Sequence, residues 1–420
     1  MSFWRRLLGR NGEAAPAACT ALDVGTEFAK ALTFEIDESR QARVRGVGRQ
    51  RQGLAHMQSG TVADIAAVVD NCAAALQEAE EMAGFRPSQA VVGIAGELVK
   101  GFTTTRSQER KRPDQPISEA ELQHLIDGVQ REALREAERA VTWETGLPNV
   151  DVRLVHAAVT GAAIDGYPVT NPIGFQGRHV RIAIFNAFAP LVHLGALQSV
   201  AAQLDLELLA VVAEPFAVAR CLGGDQVQQS GALFVDVGGG TTDVALVRAG
   251  GIEGTRMFAL GGRAFTKSIA DQLGLPFQRA EAMKIDYARG LDEPERDRLG
   301  AVVAEDVAVW AAGVELVLEE LSAGDLLPGR IYLCGGGAGL PEVQSALRDP
   351  GFARRLPFAR PPEVTVTVPG EVRGVHDATG LLVDQQDVTP MGLAYQAVEM
   401  ASEESTLDAA LRRVLRAMKV

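Results

Sequence analysis

The chain has 420 residues, 47% of them hydrophobic and 23% charged, which is typical of a soluble globular protein long enough for more than one domain. The net charge of −13 argues against nucleic acid as a partner, and four cysteines and six histidines without ligand spacing argue against a disulfide scaffold or a zinc site. This cysteine usage favours a reducing cytoplasm, and no apolar run is long enough to predict a membrane-spanning helix.

The first pattern in chain order is an apolar strand that ends in an acid and a glycine turn. Residues 1–18 are predicted to be a flexible tail, since the start is basic and a small-residue linker follows. From residue 19 an apolar run leads to Asp23, Gly25 and Thr26 and then returns as a second apolar run. We therefore predict a β-hairpin here, followed by a helix over 61–83 that Gly84 ends.

The next hundred residues predict a small separate unit. A strand at 90–96 and a polar segment at 103–116 precede a helix that runs from Ser118 to about Arg139, with Ser118 and Glu121 at the spacing of a capping box. Two strands follow, near 151–160 and 178–185. The order strand, helix, strand, strand predicts a subdomain over about 90–185.

A second glycine turn follows a helix at 189–204 and a buried strand at 208–213 that delivers Glu214. Its strand ends in Asp236, and the turn contains the following residues: Gly238, Gly239, Gly240, Thr241, Thr242 and Asp243. Glycine tolerates a positive φ and lets backbone N–H groups approach an anion, while an Asp suits a hydrated Mg²⁺ that bridges to a phosphate.

Two other phosphate motifs are absent, because the chain has no Gly-Lys dipeptide for a P-loop and 238–243 lacks the last glycine of G-x-G-x-x-G. A glycine-rich hairpin without a ligand is the simple alternative for either turn taken alone. The presence of two copies favours a pair of phosphate-binding turns that face each other.

The remaining elements add polar groups and a third glycine turn. A helix starts after Gly262, and a helical segment places Glu281 and Lys284 on one face, either as ligand contacts or as an ordinary i,i+3 ion pair. An acidic amphipathic helix is predicted over 293–322, and a strand at 330–334 leads into three glycines: Gly335, Gly336 and Gly337. The organisation of residues 361–388 has no clear prediction, although 365–374 is β-like, and a closing helix begins at Pro390.

The C-terminal 14 residues have a clear amphipathic pattern. On a helix, Leu407, Ala410, Leu411, Val414, Leu415 and Met418 form one stripe, opposed by Arg412, Arg413, Arg416 and Lys419. This pattern favours a helix that lies on an anionic membrane surface, joined by a tether at 401–406. The alternative is a helix that packs on the protein's own core.

In this order the motifs resemble the actin and heat-shock-chaperone superfamily of ATPases, over residues 19 to about 400. Within it the chain most resembles the FtsA family of bacterial division proteins: the segment at 162–177 is similar to that family's ID...GI.NP.GM.G pattern, and 280–284 matches AEA.K. The inserted unit and the basic C-terminus are also FtsA features. The related PilM family of pilus proteins shares the inserted subdomain and the glycine segment at 261–266, and 214–220 is similar to it.

The resemblance implies an α/β fold with two related actin-like domains, ATP between them, duplicated mixed-sheet cores and an inserted strand-helix-strand-strand (SHS2) subdomain. The implied ranges are 19–89 with 186–228 for the first domain, 90–185 for the insertion, 229–262 with 328–400 for the second domain, 263–327 for its helical subdomain, and 401–420 for the tether and C-terminal helix.

The resemblance also implies roles. Asp23 and Asp236 would hold the hydration shell of Mg²⁺; Glu214 would orient the attacking water, although it is equally a helix-entry acid before Pro215. The glycine turns with Thr26, Thr241 and Thr242 would bind the β- and γ-phosphates of ATP. Glu281 and Lys284 would contact the nucleoside, and 335–337 would form the adenine floor.

The expected function is an ATP-binding adaptor, at most a weak ATPase, that forms filaments and tethers a tubulin-like division ring to the cytoplasmic face of the membrane. Two alternatives stay open: a PilM-like platform for type IV pilus assembly, and a small-molecule kinase of the same fold. A kinase needs a substrate-binding insertion with a general base, and none is evident in the sequence.

Overall fold

The computed structural model describes residues 17–248, 250–290, 296–401 and 410–411. The predicted N-terminal tail therefore lies outside the described residues except for 17 and 18, as do most of the tether and most of the C-terminal stripe.

The elements of the first part of the chain are β1 (Ala17–Val24), β2 (Phe28–Ile36), β3 (Ala42–Arg51), β4 (Met57–Gln58), β5 (Thr61–Val62), α1 (Ile65–Ala83), β6 (Gln89–Ile94), β7 (Lys100–Glu109), α2 (Glu119–Thr145), β8 (Val152–Ile164), β9 (Tyr167–Pro168), β10 (His179–Pro190), α3 (Leu191–Gln203), β11 (Glu207–Ala213), α4 (Glu214–Leu222) and α5 (Asp225–Ser230).

The elements of the second part are β12 (Ala232–Val237), β13 (Thr242–Arg248), β14 (Gly251–Phe258), α6 (Gly262–Leu273), α7 (Phe277–Ala288), α8 (Arg296–Ser322), β15 (Arg330–Cys334), α9 (Pro341–Arg348), α10 (Pro350–Arg355), β16 (Glu363–Val366), β17 (Val375–Asp377) and α11 (Val388–Ala401). Short 3₁₀ helices occur at Gly336–Gly339, Pro369–Glu371 and Gln385–Asp387.

The two large sheets contain the same five-strand unit. In the first sheet the order is β11-β6-β1-β2-β3, with β17 added beyond β3; β1 to β3 form an antiparallel meander, and β6 and β11 are parallel to β1. The second sheet begins with the equivalent order β16-β15-β12-β13-β14 and the same strand directions. The predicted duplication of the mixed-sheet core is therefore confirmed.

The inserted strand-helix-strand-strand unit consists of β7, α2, β8 and β10, with the two-residue β9 at its edge. The chain enters it from the first domain, yet β7 pairs with β14 of the second, so β7, β10, β8 and β9 extend the second sheet to nine strands. A Cβ on Gly101 would lie 2.0 Å from Thr255 Oγ1, so a glycine is needed where these two strands meet. The strand at 89–94, assigned from sequence to the insertion, belongs to the first core sheet.

Helix boundaries follow their caps. The side chain of Asp64 accepts a hydrogen bond from Ala67 N, so α1 begins at Ile65, four residues later than predicted, and 61–62 form a short strand instead. Ser118 caps α2 through Glu121 N, but the Glu121 carboxylate pairs with Arg110 rather than closing the capping box. This helix ends six residues beyond Arg139, at Gly146 in the left-handed conformation.

Two large apolar cores lie on the sheets. The first core lies around β1, β2, β6 and β11 with α1 and α4, and the second lies beneath α6, α7 and α8 and contains the fully buried Trp310. The closing helix α11, grouped from sequence with the second domain, packs in the first core through residues such as Met391 and Leu393. The segment that sequence patterns did not place supplies β16 to one sheet and β17 to the other.

Two members of the predicted C-terminal stripe, Ala410 and Leu411, are among the described residues. They are helical, only 3% and 2% exposed, and belong to the apolar cluster of the inserted subdomain. Among the described residues, no helix is long and apolar enough to cross a membrane.

Candidate functional site

The two predicted glycine turns lie against each other at the carboxyl ends of β1 and β12. In each turn the first glycine donates a backbone hydrogen bond three residues ahead, from Gly25 N to Phe28 O (3.1 Å) and from Gly238 N to Thr241 O (2.9 Å). The turns are therefore structural equivalents, as the sequence duplication predicted.

Close approach, rather than backbone conformation, explains the glycines of the second turn. None of Gly238, Gly239 and Gly240 has a positive φ, which differs from the conformational reason inferred from sequence. A Cβ on Gly239 would instead lie 2.8 Å from Glu27 Cβ, and one on Gly240 would lie 2.6 Å from Thr26 Oγ1. Side chains at these positions would push the two turns apart.

A cavity of about 560 Å³ opens between the turns, within the range of small-ligand sites. Of the residues predicted from sequence, all but one line it: Asp23, Gly25, Thr26, Glu214, Asp236, Gly238, Gly239, Gly240, Thr241, Glu281, Lys284, Gly335, Gly336 and Gly337. Asp243 also lines it.

Thr242 is the residue that does not line the cavity. Its hydroxyl donates to Leu260 O (2.7 Å) and accepts from Trp310 Nε1 (2.8 Å), inside the second core. Because the turn residues alternate in direction along β13, Thr241 faces the cavity and Thr242 faces away from it. The structure thus gives Thr242 a packing role in place of the predicted phosphate contact.

Among the described residues, seven Asp and Glu residues line the cavity. Four of them interact electrostatically: Asp23, Glu214, Asp236 and Asp243. Burial raises the pKa of Glu214 well above its ordinary value, and the charges of the three aspartates raise it further while Lys30 opposes them. Burial likewise raises the pKa of Asp236 and, more strongly, of Asp243. Such a group of acids is electrostatically unfavourable unless a cation or protons compensate it.

The hydrogen bonds of these acids are incomplete. Asp236 accepts from the Thr389 hydroxyl, and Asp23 is paired with Lys30 Nζ at 3.2 Å. Asp243 Oδ1 is buried and has no partner among the described residues. An unpaired buried carboxylate oxygen beside three other acids is the donor set that a hydrated divalent cation satisfies.

A site in which side chains ligate a metal directly differs from one that holds a hydrated cation. In the described ranges, no three His, Cys, Asp or Glu side chains are grouped so that they could hold a metal ion directly.

Glu281 and Lys284 of α7 form the i,i+3 ion pair that the sequence left open, and both also line the cavity. Lys284 Nζ lies 2.8 Å from Glu281 Oε2 and donates to Gly262 O (2.8 Å) and Thr266 Oγ1 (2.7 Å). Gly262 and Thr266 belong to α6, so hydrogen bonds to α6 hold the pair in place where it lines the cavity. The same helix adds Ile285 and Ala288, which together with Leu340 give the cavity apolar surface.

The third glycine turn has a left-handed backbone and crowded surroundings at its first residue. Gly335 has φ +84°, and a Cβ there would lie 2.1 Å from Asp236 Oδ1 and 2.6 Å from Val237 O. By contrast, a Cβ on Gly336 would meet no atom within 4 Å. Gly335 is therefore required by conformation and packing, while Gly336 presents open backbone to the cavity.

Sequence patterns missed several lining residues. Lys30 stands directly opposite Asp23 in the β1–β2 register, and its Nζ also donates to Gln386 O (2.7 Å). Because residues that face each other across a hairpin can be paired from the sequence, the position of Lys30 opposite Asp23 was predictable. Asp384, Gln385 and Gln386 also line the cavity, and they come from residues 361–388, which had no predicted organisation. Thr389 of α11 lines it as well. No local pattern identifies these residues.

A further missed feature is an ion pair that joins the two domains beside the turns. Arg263 of α6 lies 2.6 Å from Glu27 Oε2, and it donates to Gln52 O (3.3 Å) and Leu54 O (3.5 Å). The other Glu27 oxygen pairs with Arg51 at 2.5 Å. Both Arg263 and Glu27 line the cavity and are about 14% exposed, so the pair closes one side of the site.

Comparison with known proteins finds sequence relatives among cell division proteins. The family model for "Cell division protein FtsA" matches residues 233–354, from β12 to α10. Over 337 residues the chain is 28% identical to the cell division protein FtsA of Pseudomonas aeruginosa, covering 75% of this chain and 76% of that protein. It is 25% identical to the cell division protein FtsA of Bacillus subtilis, covering 84% and 81%.

Among solved structures, the fold is similar to that of the PilM-PilN type IV pilus biogenesis complex, with a TM-score of 0.63 and 19% identity over 90% of this chain and 98% of that one. The chain thus resembles the FtsA division proteins in sequence over most of its length. Its fold is the actin-like α/β fold with duplicated cores, as the sequence predicted.

Proposed function

We propose that this chain, similar over most of its length to FtsA division proteins, is an actin-like cell-division adaptor that binds Mg²⁺ and ATP between its two domains. The observation that supports nucleotide binding most is the pair of equivalent turns around a cavity of about 560 Å³, with the interacting acids Asp23, Glu214, Asp236 and Asp243 in its wall. Adenine nucleotides have the size, the polyphosphate and the need for Mg²⁺ that match such a cavity.

Each part of the cavity has a role in this proposal. Asp23 and Asp236 hold the water shell of Mg²⁺, and the turns with Thr26 and Thr241 bind the phosphates. Lys30, opposite Asp23, supplies positive charge, and Glu214 orients a water for hydrolysis. Ile285, Ala288 and Leu340 give a nucleoside apolar surface, with Glu281 and Lys284 at its polar edge. Bound Mg²⁺ would supply charge neutralisation, so the protein contributes positioning.

ATP acts in the proposal as an assembly ligand that favours one arrangement of the two domains. The assembled chain binds a tubulin-like division protein and, through the C-terminal stripe, an anionic membrane surface on the cytoplasmic side. One short helix binds lipid weakly, so many chains in one filament supply the needed multivalency.

Nucleotide binding is tested by calorimetry with Mg²⁺-ATP on the chain and on Asp236→Ala, with Glu320→Ala, an exposed residue outside the cavity, as the control. We expect Asp236→Ala to weaken binding at least about tenfold, since an acid that holds the water shell of Mg²⁺ is lost. Equal affinity of all three proteins would refute the site.

The division role is tested by pelleting with a tubulin-like division polymer and anionic vesicles, with and without ATP. We expect ATP-dependent recovery of the polymer with the vesicles. Binding instead to a cytoplasmic peptide of a pilus membrane protein would support the pilus platform, and ATP-dependent phosphorylation of a metabolite would support the kinase.

A further inference from the structure

The inserted subdomain has an apolar cluster that contains residues from the far end of the chain. Its members on α2 and the preceding turn are Ile117, Leu122, Leu125, Ile126 and Val129, and those on the strands are Ile164, Val180, Ile182 and Ile184. Ala410 and Leu411 belong to the same cluster, with exposures of 3% and 2%. A leucine this well buried is not in contact with solvent or lipid.

The cluster has room for such an occupant because one strand of the subdomain sheet is only partly covered. Along β8, residues 154–160 are all half-buried, whereas the neighbouring β10 is buried over most of its length. Ala157 and Val159 of β8 pack against the cluster. The cluster therefore extends past α2 toward a strand that this helix leaves partly open.

Charge favours the same pairing. Helix α2 contains seven Asp and Glu residues and three Arg residues, so it is acidic. Residues 407–420 contain four Lys and Arg residues and one Asp. A basic segment whose Ala410 and Leu411 belong to the cluster is thus also attracted to the acidic helix α2.

Ala410 and Leu411 are also central members of the apolar stripe that would enter a membrane. The same side chains cannot be buried in the subdomain and in the lipid interface at once. We infer that the inserted subdomain is an intramolecular docking surface for the C-terminal segment, and that docking through Ala410 and Leu411 competes with binding to an anionic membrane. The competition, though not the docking itself, rests on the proposed membrane role.

The competition is a two-state equilibrium. A membrane binds only the C-terminal segment that has been released from the subdomain. Membrane binding must therefore offset the free energy of docking, so docking lowers the apparent membrane affinity of a single chain. A filament presents many segments at once and overcomes this cost more easily. The device would restrict membrane binding to assembled chains.

Docking is tested first by thiol labelling of full-length Leu411→Cys without lipid. The four native cysteines are all buried, so the new thiol gives the signal. The matched control is Val192→Cys, whose position is 80% exposed. We expect labelling of position 411 to be at least about tenfold slower than that of position 192, and equal rates would overturn the docking.

The partner surface is identified by a photoreactive benzoylphenylalanine at position 411 of the full chain. We expect cross-links within one chain to peptides from 117–129 or 157–184. Cross-links only to other parts of the protein, or only between chains, would overturn the assignment.

Competition is tested by repeating the cross-linking with vesicles of phosphatidylglycerol and phosphatidylcholine. We expect cross-links to the subdomain to decrease at least about threefold as the chain binds the vesicles. Unchanged cross-links on vesicle-bound protein would overturn the competition. If the protein does not bind the vesicles at all, the proposed membrane role fails while the docking result stands.

Discussion

At the scale of single residues, we propose that Glu214 is the group in the cavity that acts on a water molecule. It lies in the first turn of α4 and is 8% exposed, and its pKa is raised by burial and by three neighbouring aspartates. Its position directly before Pro215 also makes it a helix-entry acid, so position alone does not distinguish a structural role from a catalytic one. A substitution that removes only the carboxylate distinguishes the two roles.

We expect Glu214→Gln to keep nucleotide affinity within about threefold while phosphate release falls at least about tenfold, because Gln keeps the shape but cannot act as a base. Phosphate release and calorimetry measure the two effects. The control is Glu281→Gln, expected to change affinity more than turnover, since Glu281 is held in an ion pair with Lys284. Unchanged turnover in Glu214→Gln would leave only the helix-entry role.

The ion pair between Glu27 and Arg263 links a residue in one turn to a helix of the other domain. Both side chains are about 14% exposed, and Arg263 also holds two backbone carbonyls of the first domain. A pair with this burial and these extra hydrogen bonds should be more strongly coupled than a surface pair.

A double-mutant cycle with Glu27→Gln and Arg263→Gln is expected to give a coupling free energy of about 1–3 kcal/mol in urea unfolding. The same cycle on Arg256 and Glu320, where the glutamate is 58% exposed, should give about 0–1 kcal/mol. Equal couplings for the two pairs would show that the Glu27–Arg263 pair does not hold the domains together.

At the scale of elements, α1 packs unusually closely on β3. A Cβ on Gly48 would lie 1.8 Å from Ala75 O, and one on Gly46 would lie 1.9 Å from Ala79 O. Both neighbours are helix backbone, which cannot move aside without shifting the helix. The glycines of β3 therefore set the distance between this helix and the first sheet.

Gly48→Ala is expected to lower the free energy of unfolding by about 1–3 kcal/mol or more, because overpacking against backbone is not relieved by a rotamer change. Gly161→Ala on β8 is the matched control, since its Cβ would meet no atom within 4 Å. Urea unfolding measures both, and a Gly48→Ala protein as stable as Gly161→Ala would contradict the packing argument.

At the scale of the whole molecule, the acids of the cavity link stability to pH and to Mg²⁺. The pKa values of Glu214, Asp236 and Asp243 are raised in the folded state, so in the window above their ordinary values of 4.5 and 3.8 the folded chain holds more protons than the unfolded chain. Stability therefore falls as pH rises through that window, up to the raised values.

Asp37, Asp165 and Asp377 have pKa values that hydrogen bonds lower, so their contribution to stability rises with pH instead. A variant of one cavity acid is therefore needed to separate the contribution of the cavity from theirs. We expect Asp243→Asn to raise Tm at pH 8 and to flatten the decline between pH 5 and pH 8. Mg²⁺ with ATP should produce a larger Tm increase in the unmodified chain at pH 8 than at pH 5. A Tm that does not depend on the variant, the pH or the ligand would contradict the view that repulsion among the cavity acids destabilises the folded chain.

The sequence alone determined the local parts of this protein. An apolar strand, an acid and a glycine turn recur twice, and each is a short-range pattern because a hairpin is formed by neighbouring residues. The positions of Asp23, Asp236 and the three glycine turns were therefore predictable, and all of them line one cavity. The duplicated core followed from the same repetition.

Only the tertiary structure decided which distant groups meet. Residues 384–389 reach the cavity, β7 joins the second sheet, and Arg263 pairs with Glu27 because packing brings together segments that no local pattern relates. The side chain of Thr242 likewise faces the second core, where its hydroxyl accepts a hydrogen bond from the distant Trp310. Likewise, the stripe at Leu411 is compatible with lipid or with protein from sequence, and the fold places this residue on the inserted subdomain, because the apolar cluster there is close enough to bury it.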